Sequence, residues 1–327
     1  MYANLVSKAA VVLVFLLAAA QPMLAQADSP AIAASRLSPD DFRAARGPVF
    51  RADTRLVVCY TTVRDKQQRP IHDLPQSAFT VYEDGRPQPI RTFGREDIPV
   101  SLGLVIDNSA TMAGKRAFAV AASLALVRAS NPEDEVFVAN FNDEVYLDLP
   151  AHKDFTSDIH EMEKALEPLE ARGAPLIWDA VRLSIQHLVE KSRREKKILV
   201  VVTTGLDAGS VTRAEALTRL AGQSGVLIYT IGLLDDVKCG AGKARSELKA
   251  LAEATGGEAF FPTSLSATEA SCRQIARDIR DQYVIAYAPS NEHLNDAFRK
   301  ISIKVAGPGQ LLARTRSGYY ASPEVRR

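Results

Sequence analysis

Val100-Ser101-Leu102-Gly103-Leu104-Val105-Ile106, followed at once by Asp107-Asn108-Ser109-Ala110-Thr111, decides the reading of this chain. A nearly continuous apolar run of this length is the pattern of a strand covered on both faces. In an open α/β sheet, ligands are met just beyond the carboxyl ends of such strands. The turn after Ile106 offers one carboxylate and two hydroxyls at alternate positions, Asp107, Ser109 and Thr111. Oxygen donors converging on one point suit a hard cation such as Mg²⁺. The same residue types also satisfy turn amides and cap a following helix. Both readings stand at this point.

The sequence on the carboxyl side repeats the alternation of strand and helix. Residues 115–130 are rich in Ala and Leu and stop at Asn131-Pro132, which predicts a helix. Residues 136–141 and 145–149 predict a strand and its hairpin partner; 198–203 and 226–231 are two further buried strands, and 258–261 a short one. Helical spacing marks 159–169 and 176–189, and a helix from about Ser246 ends at Gly256-Gly257. Thr212-x-x-Glu215 and Ser266-x-x-Glu269 read as capping boxes. The basic run 191–197, which includes Glu195, reads as the solvated end of a helix. Strands alternating with helices predict a doubly wound, mostly parallel sheet with helices on both sides.

On either side the pattern turns to short β segments, 50–96 and 283–322. Each has about 40 residues, too few to fold alone without staples. They are therefore expected to pair into one β-sandwich around an inserted α/β domain, residues 97–282. Two separate β appendages on that domain are the alternative.

Lys8, the apolar run from Ala9 to Ala20, and Ala25-Gln26-Ala27 predict a secretory signal peptide over 1–27. Twelve apolar residues are short of the roughly 20 a membrane span needs. Residues 28–49 read as a flexible linker and 323–327 as a tail, and the protein is expected in the periplasm or outside the cell. Lysines and arginines number 40 against 39 acidic residues, and the leader removes Lys8 alone, leaving the rest neutral. Nucleic-acid binding, which needs clustered excess cation, is not expected. Three cysteines exclude a disulfide scaffold. In an oxidising compartment Cys239 and Cys272, both placed near the carboxyl edge of the sheet, are candidates for one disulfide, leaving Cys59 buried and unpaired.

Motifs spread over most of the chain resemble the von Willebrand factor type A domain, and more closely the VWFA-related family described from acidobacteria. They are TVYEDGRPQPI (80–90), FGREDIPVSLGLVIDNSATM (93–112), FNDEVYL (141–147), YTIGL (229–233), TGGEAFFP (255–262), QYVIAYAPSN (282–291) and GYYA (318–321). The resemblance implies that the D-x-S-x-T turn is the metal-ion-dependent adhesion site, where a partner's carboxylate often completes the coordination of a divalent ion. Two further ligands belong to that pattern, and this sequence departs at both. Pro175 stands where a Thr is expected, and Thr204 where an Asp is expected. Asp107, Ser109 and Thr111 remain, with Thr204 and Asp207 as contributors to a degenerate site for Mg²⁺, Mn²⁺ or Ca²⁺.

Catalysis finds no complete set of residues. Ser109 stands where a haloacid-dehalogenase-type phosphatase needs its general-acid Asp. No nucleophile elbow or nucleotide-binding glycine motif occurs, and His72, His152, His160, His187 and His293 form no ligand-spaced pair. The expectation is a non-enzymatic protein that binds a protein partner at the carboxyl edge of the sheet. A scaffolding module, whose site binds no metal and whose sandwich makes the contacts, is the alternative.

Overall fold

Along β1 (Val57–Arg64) the first side chains alternate, Val57 and Cys59 buried and Val58 exposed, as a strand with one face on a core requires. β2 (Phe79–Glu83), β3 (Arg86–Gln88) and β4 (Ile90–Gly94) follow. The tight β2–β3 turn uses Asp84-Gly85, both at positive φ, the conformation a two-residue hairpin favours. The computed structural model describes residues 56–95, 97–129, 131–150, 152–166, 171–234 and 240–322, all within the unit Thr54–Arg327. The expected leader, linker and tail, and Cys239, lie outside the described residues.

The α/β region comprises β5 (Val100–Asp107), α1 (Arg116–Arg128), β6 (Glu135–Phe141), β7 (Val145–Leu147), α2 (Ile159–Ala165) and α3 (Ile177–Lys191). It continues with β8 (Lys196–Thr203), α4 (Ala214–Ser224), β9 (Val226–Gly232), α5 (Ala241–Thr255), β10 (Ala259–Phe260) and α6 (Leu265–Asp281). The strands form one sheet in the order β10-β9-β8-β5-β6-β7, parallel except for β7 against β6. Every residue of β5 is buried. Leu102, Leu104 and Ile106 pack with Met112, Leu126, Met162 and Ile275 of the layer formed by α1, α2 and α6. Val105 packs with Ile177, Val181, Leu217 and Leu248 from α3, α4 and α5. Gly103, two residues away, shares that second face, and it is a glycine because a Cβ there would lie 2.5 Å from the Phe137 ring.

β11 (Tyr283–Tyr287), β12 (Phe298–Val305), β13 (Leu312–Arg314) and β14 (Gly318–Tyr320) return to the flanking β region. Two four-stranded sheets result, β13-β1-β11-β4 and β14-β12-β2-β3. Cys59 lies opposite Ile285 and Val81 opposite Ile303. Their inner faces share one core with Phe79, Tyr283, Tyr287 and Ile301. Val284 pairs with Gly94, so the chain leaves the sandwich and rejoins it on hydrogen-bonded neighbours. The α/β domain is thus an insertion closed at its base.

Ionic side chains brace that base. Arg64 of β1 reaches Asp278 of α6 at 2.6 Å and Glu258 at 3.1 Å. Arg314 of β13 reaches the same two carboxylates at 2.8 and 2.9 Å.

Several local expectations are corrected. Lys196, read within a solvated basic run, opens β8 with 2% exposure; its ammonium donates to the Ile279 carbonyl and lies 4.9 Å from the Tyr60 ring centroid. Tertiary packing overrides the run's polarity at this one position. α5 starts at Ala241, five residues before the expected start, behind Gly240 in the left-handed region. Ser264 rather than Ser266 caps α6, accepting from the Ala267 N–H. Thr212 caps nothing, since α4 starts behind Arg213 without a side-chain cap. Cys272 is a free, fully buried thiol within the α1–α6 layer, and burial pushes it up to about 12. The expected Cys239–Cys272 disulfide is not seen at Cys272, and its other half, Cys239, lies outside the described residues. Cys59 is free and buried as expected. Among the described residues no helix is long and apolar enough to cross a membrane.

Candidate functional site

β5 and β8 run parallel side by side, so Asp107 and Thr203-Thr204 end at the same edge of the sheet. Asp107 is fully buried there. One carboxylate oxygen accepts the Ser109 N–H at 2.9 Å; the other accepts the Thr203 hydroxyl at 2.7 Å and the Thr204 N–H at 3.4 Å. Burial pushes the Asp107 carboxyl above its usual range, opposed by these hydrogen bonds. The Thr203 hydroxyl accepts in turn from the Gly205 N–H at 3.0 Å. Beside this knot runs a chain of hydroxyls. Ser109 Oγ lies 2.7 Å from Thr111 Oγ1, which lies 2.7 Å from Thr204 Oγ1. Four of the candidate residues, Asp107, Ser109, Thr111 and Thr204, therefore meet in one cluster.

Asp207 is held elsewhere. Its Oδ1 accepts the Ile177 N–H at 3.0 Å and the Ser210 hydroxyl at 2.6 Å. Ser210 Oγ also accepts from the N–H groups of Trp178 and Asp179, at 3.1 and 3.3 Å. These are first-turn donors of α3, which have no partner inside the helix. Asp179 answers by accepting the N–H groups of Val211 and Thr212 at 2.8 and 3.0 Å. Against the cost of burial, those bonds hold its carboxyl below the usual range. Asp207 and Ser210 thus cap α3 from another loop, a role that the sequence hinted at only in the Asp-x-x-Ser spacing. Replacing Asp207 by Ala is expected to cost about 1 kcal/mol of stability, measured by urea denaturation in metal-free buffer.

The third loop is joined by backbone. Ala110 N–H donates to the Gly173 carbonyl at 3.1 Å, Arg172 N–H to Asn108 at 3.0 Å, and Ala208 N–H to Pro175 at 3.0 Å. The segments following β5 and β8 and the one preceding α3 are therefore tied to one another.

As a cation site this donor set fits poorly. It holds one carboxylate, buried, with both oxygens already accepting from protein donors. Divalent-ion affinity rises with ligand charge. Pro175 supplies no side-chain oxygen and Thr204 a neutral one. Among the described residues no group of three or more His, Cys, Asp or Glu is placed to hold a metal.

Residues 102–206 match the family model described as the von Willebrand factor type A domain. The matched segment runs from β5 through β8 and contains Asp107, Ser109, Thr111 and Thr204. No curated protein matches the sequence. Among solved structures, the vWF domain of the type V pili tip protein Mfa5 from Porphyromonas gingivalis is 14% identical, with 56% of this chain and 95% of that one covered and a TM-score of 0.47. BatB from Bacteroides thetaiotaomicron is 15% identical, with 56% and 100% covered and a TM-score of 0.43. Proximal thread matrix protein 1 from the mussel byssus, with a zinc-occupied MIDAS motif, is 14% identical, with 61% and 50% covered and a TM-score of 0.48. The resemblance to the von Willebrand factor type A domain thus rests on residues 102–206, the part of the chain that holds the hydroxyl cluster.

Proposed function

We propose that the protein is an exported, non-catalytic binding module that holds a protein partner at the carboxyl edge of its α/β sheet. The observation that carries this reading is the Ser109–Thr111–Thr204 hydroxyl cluster, set between three cross-bonded segments at that edge. The cluster lies just beneath the surface, with Thr111 its one partly exposed member, and an edge already fixed by such hydrogen bonds loses little ordering entropy on binding. Val211, beside the clamp on α3, is 92% exposed and offers an apolar contact on the same edge. Export rests on the leader pattern of residues 1–27. The degenerate site and the non-catalytic role belong to the same reading, because the Asp107 carboxylate and the Thr203 hydroxyl it meets are both fully buried, out of reach of a substrate.

A photo-crosslinking residue at Val211, compared with one at Thr80 on the exposed face of the sandwich, tests the site in the full chain within its producing cells. The expected result is a discrete adduct from position 211, reduced at least about tenfold by the second substitution Thr111→Arg, which corresponds to a binding loss of about 1.4 kcal/mol. Adducts from position 80 alone transfer the function to the sandwich and support the scaffolding alternative.

A further inference from the structure

We infer that this edge works without a metal ion, and that direct hydrogen bonds have taken over the task of tying its loops together. A cation at such a site would join the turn after β5, the segment before α3 and the turn after β8. Each junction is already made by protein groups. Asp107 joins the first and third through the Thr203 hydroxyl and Thr204 N–H. The Ser109–Thr111–Thr204 chain joins them a second time. Asp207 and Ser210 join the third to the start of α3, and Asp179 returns the contact to Val211 and Thr212. Gly173 and Asn108 carbonyls close the remaining junction.

An arriving ion would have to displace these bonds from a fully buried carboxylate. Removing a hydrogen-bond partner from a buried polar group is costly, and one carboxylate offers an ion little in return. The nearby acidic side chains are committed as well, since withdrawing Asp207 uncaps α3 and withdrawing Asp179 frees two backbone donors. Ser109 and Thr204 are buried and Thr111 is only partly exposed, so a partner at this edge meets Thr111 and the flanking loops, and a partner carboxylate that would complete a cation's coordination is not the feature recognised. The inference stands apart from the partner-binding proposal, because it concerns what holds the edge rather than what docks on it.

The test is a titration of the full chain, stripped with a chelator, with Mg²⁺, Mn²⁺, Ca²⁺ and Zn²⁺ up to millimolar concentration. Melting temperature and calorimetric heat are read together. Wild type is expected to show no saturable heat and no rise in melting temperature. Pro175→Thr combined with Thr204→Asp restores the two missing ligands, and is expected to gain a saturable, chelator-reversible rise. Thr204→Asp alone serves as the second variant where the pair folds poorly. A saturable response in wild type that disappears in Asp107→Asn overturns the inference. So does a folded ligand-restored variant that stays as silent as wild type, because the missing ligands would then not be the cause. Silence in wild type with crosslinking at Val211 intact supports both readings. Silence with that crosslinking absent removes only the partner site.

Discussion

Replacing Asp278 by Ala is expected to lower the unfolding free energy by about 3–5 kcal/mol, the range found when one member of a buried ion pair is removed. Asp278 is 4% exposed on α6 and accepts from Arg64 at 2.6 Å and from Arg314 at 2.8 Å. Arg64 is itself buried, so its guanidinium cannot recover the lost contact from water. Glu258 remains to both arginines at 3.1 and 2.9 Å, which leaves two cations on one carboxylate. The damage falls between the sandwich and the inserted domain, because the arginines belong to β1 and β13 and the acid to α6. Urea denaturation followed by tyrosine fluorescence gives the total loss. Asp278→Asn, which keeps acceptor oxygen but not charge, is expected to lose less. Equal losses for Ala and Asn would mean that the retained acceptor recovers nothing and that the whole effect lies in the charge.

Lys196→Met is expected to act in the opposite direction, stabilising the protein at neutral pH by about 1–4 kcal/mol, the upper range seen when buried ionic groups are replaced by apolar residues of similar volume. Burial pulls the Lys196 ammonium down to about 7, with Arg280 adding to the pull; Asp97, Asp134 and Asp278 oppose it from longer range. Arg280 largely engages two of those acids itself, Asp134 and Asp97. The ammonium is left with the Ile279 carbonyl and the face of the Tyr60 ring. Between about 7 and the ordinary lysine value of 10.5, the unfolded chain binds the proton that the folded chain has lost. In that window wild-type stability gains from rising pH, and below about 7 the penalty is complete. The advantage of Met is therefore largest at pH 7 and below and shrinks towards pH 10. Melting curves of both proteins at matched pH values check this; a constant difference across the range would remove the titration of Lys196 as its source.

Much of the architecture is legible in the sequence. The two-faced burial of residues 100–106 fixes β5 at the centre of a parallel sheet, and it does lie there between β8 and β6. The flanking segments are each too small to make a core, and their inner residues complete one another's. Less visible were features decided by tertiary partners. Lys196 carries the same charge as Lys191 and Lys197, and only the approach of Tyr60 and α6 sets it apart. Asp207 reads as a spare ligand beside a metal motif, yet the first-turn N–H groups of α3 claim it through space. Capping boxes misled for the same reason: Ser264 and Ser266 offer the same hydroxyl two residues apart, and the local backbone chooses between them. The four-residue core of the site was legible because it sits on two neighbouring strand ends. Its saturation by internal donors was not, because no sequence pattern reveals whose hydroxyl a carboxylate accepts.

The pairing of Val284 with Gly94 also has a mechanical meaning. Tension on the two ends of the described chain enters at β1 and at β14, and the strand ladders of the sandwich carry it. The inserted domain hangs on β4 and β11, whose mutual hydrogen bonds close its base and shunt the load past it. The sandwich meets the starts of the parallel strands, through Lys196 and Glu258, whereas the hydroxyl cluster stands at their ends. Under such a load the carboxyl edge of the sheet stays unstrained until the sandwich itself is torn open.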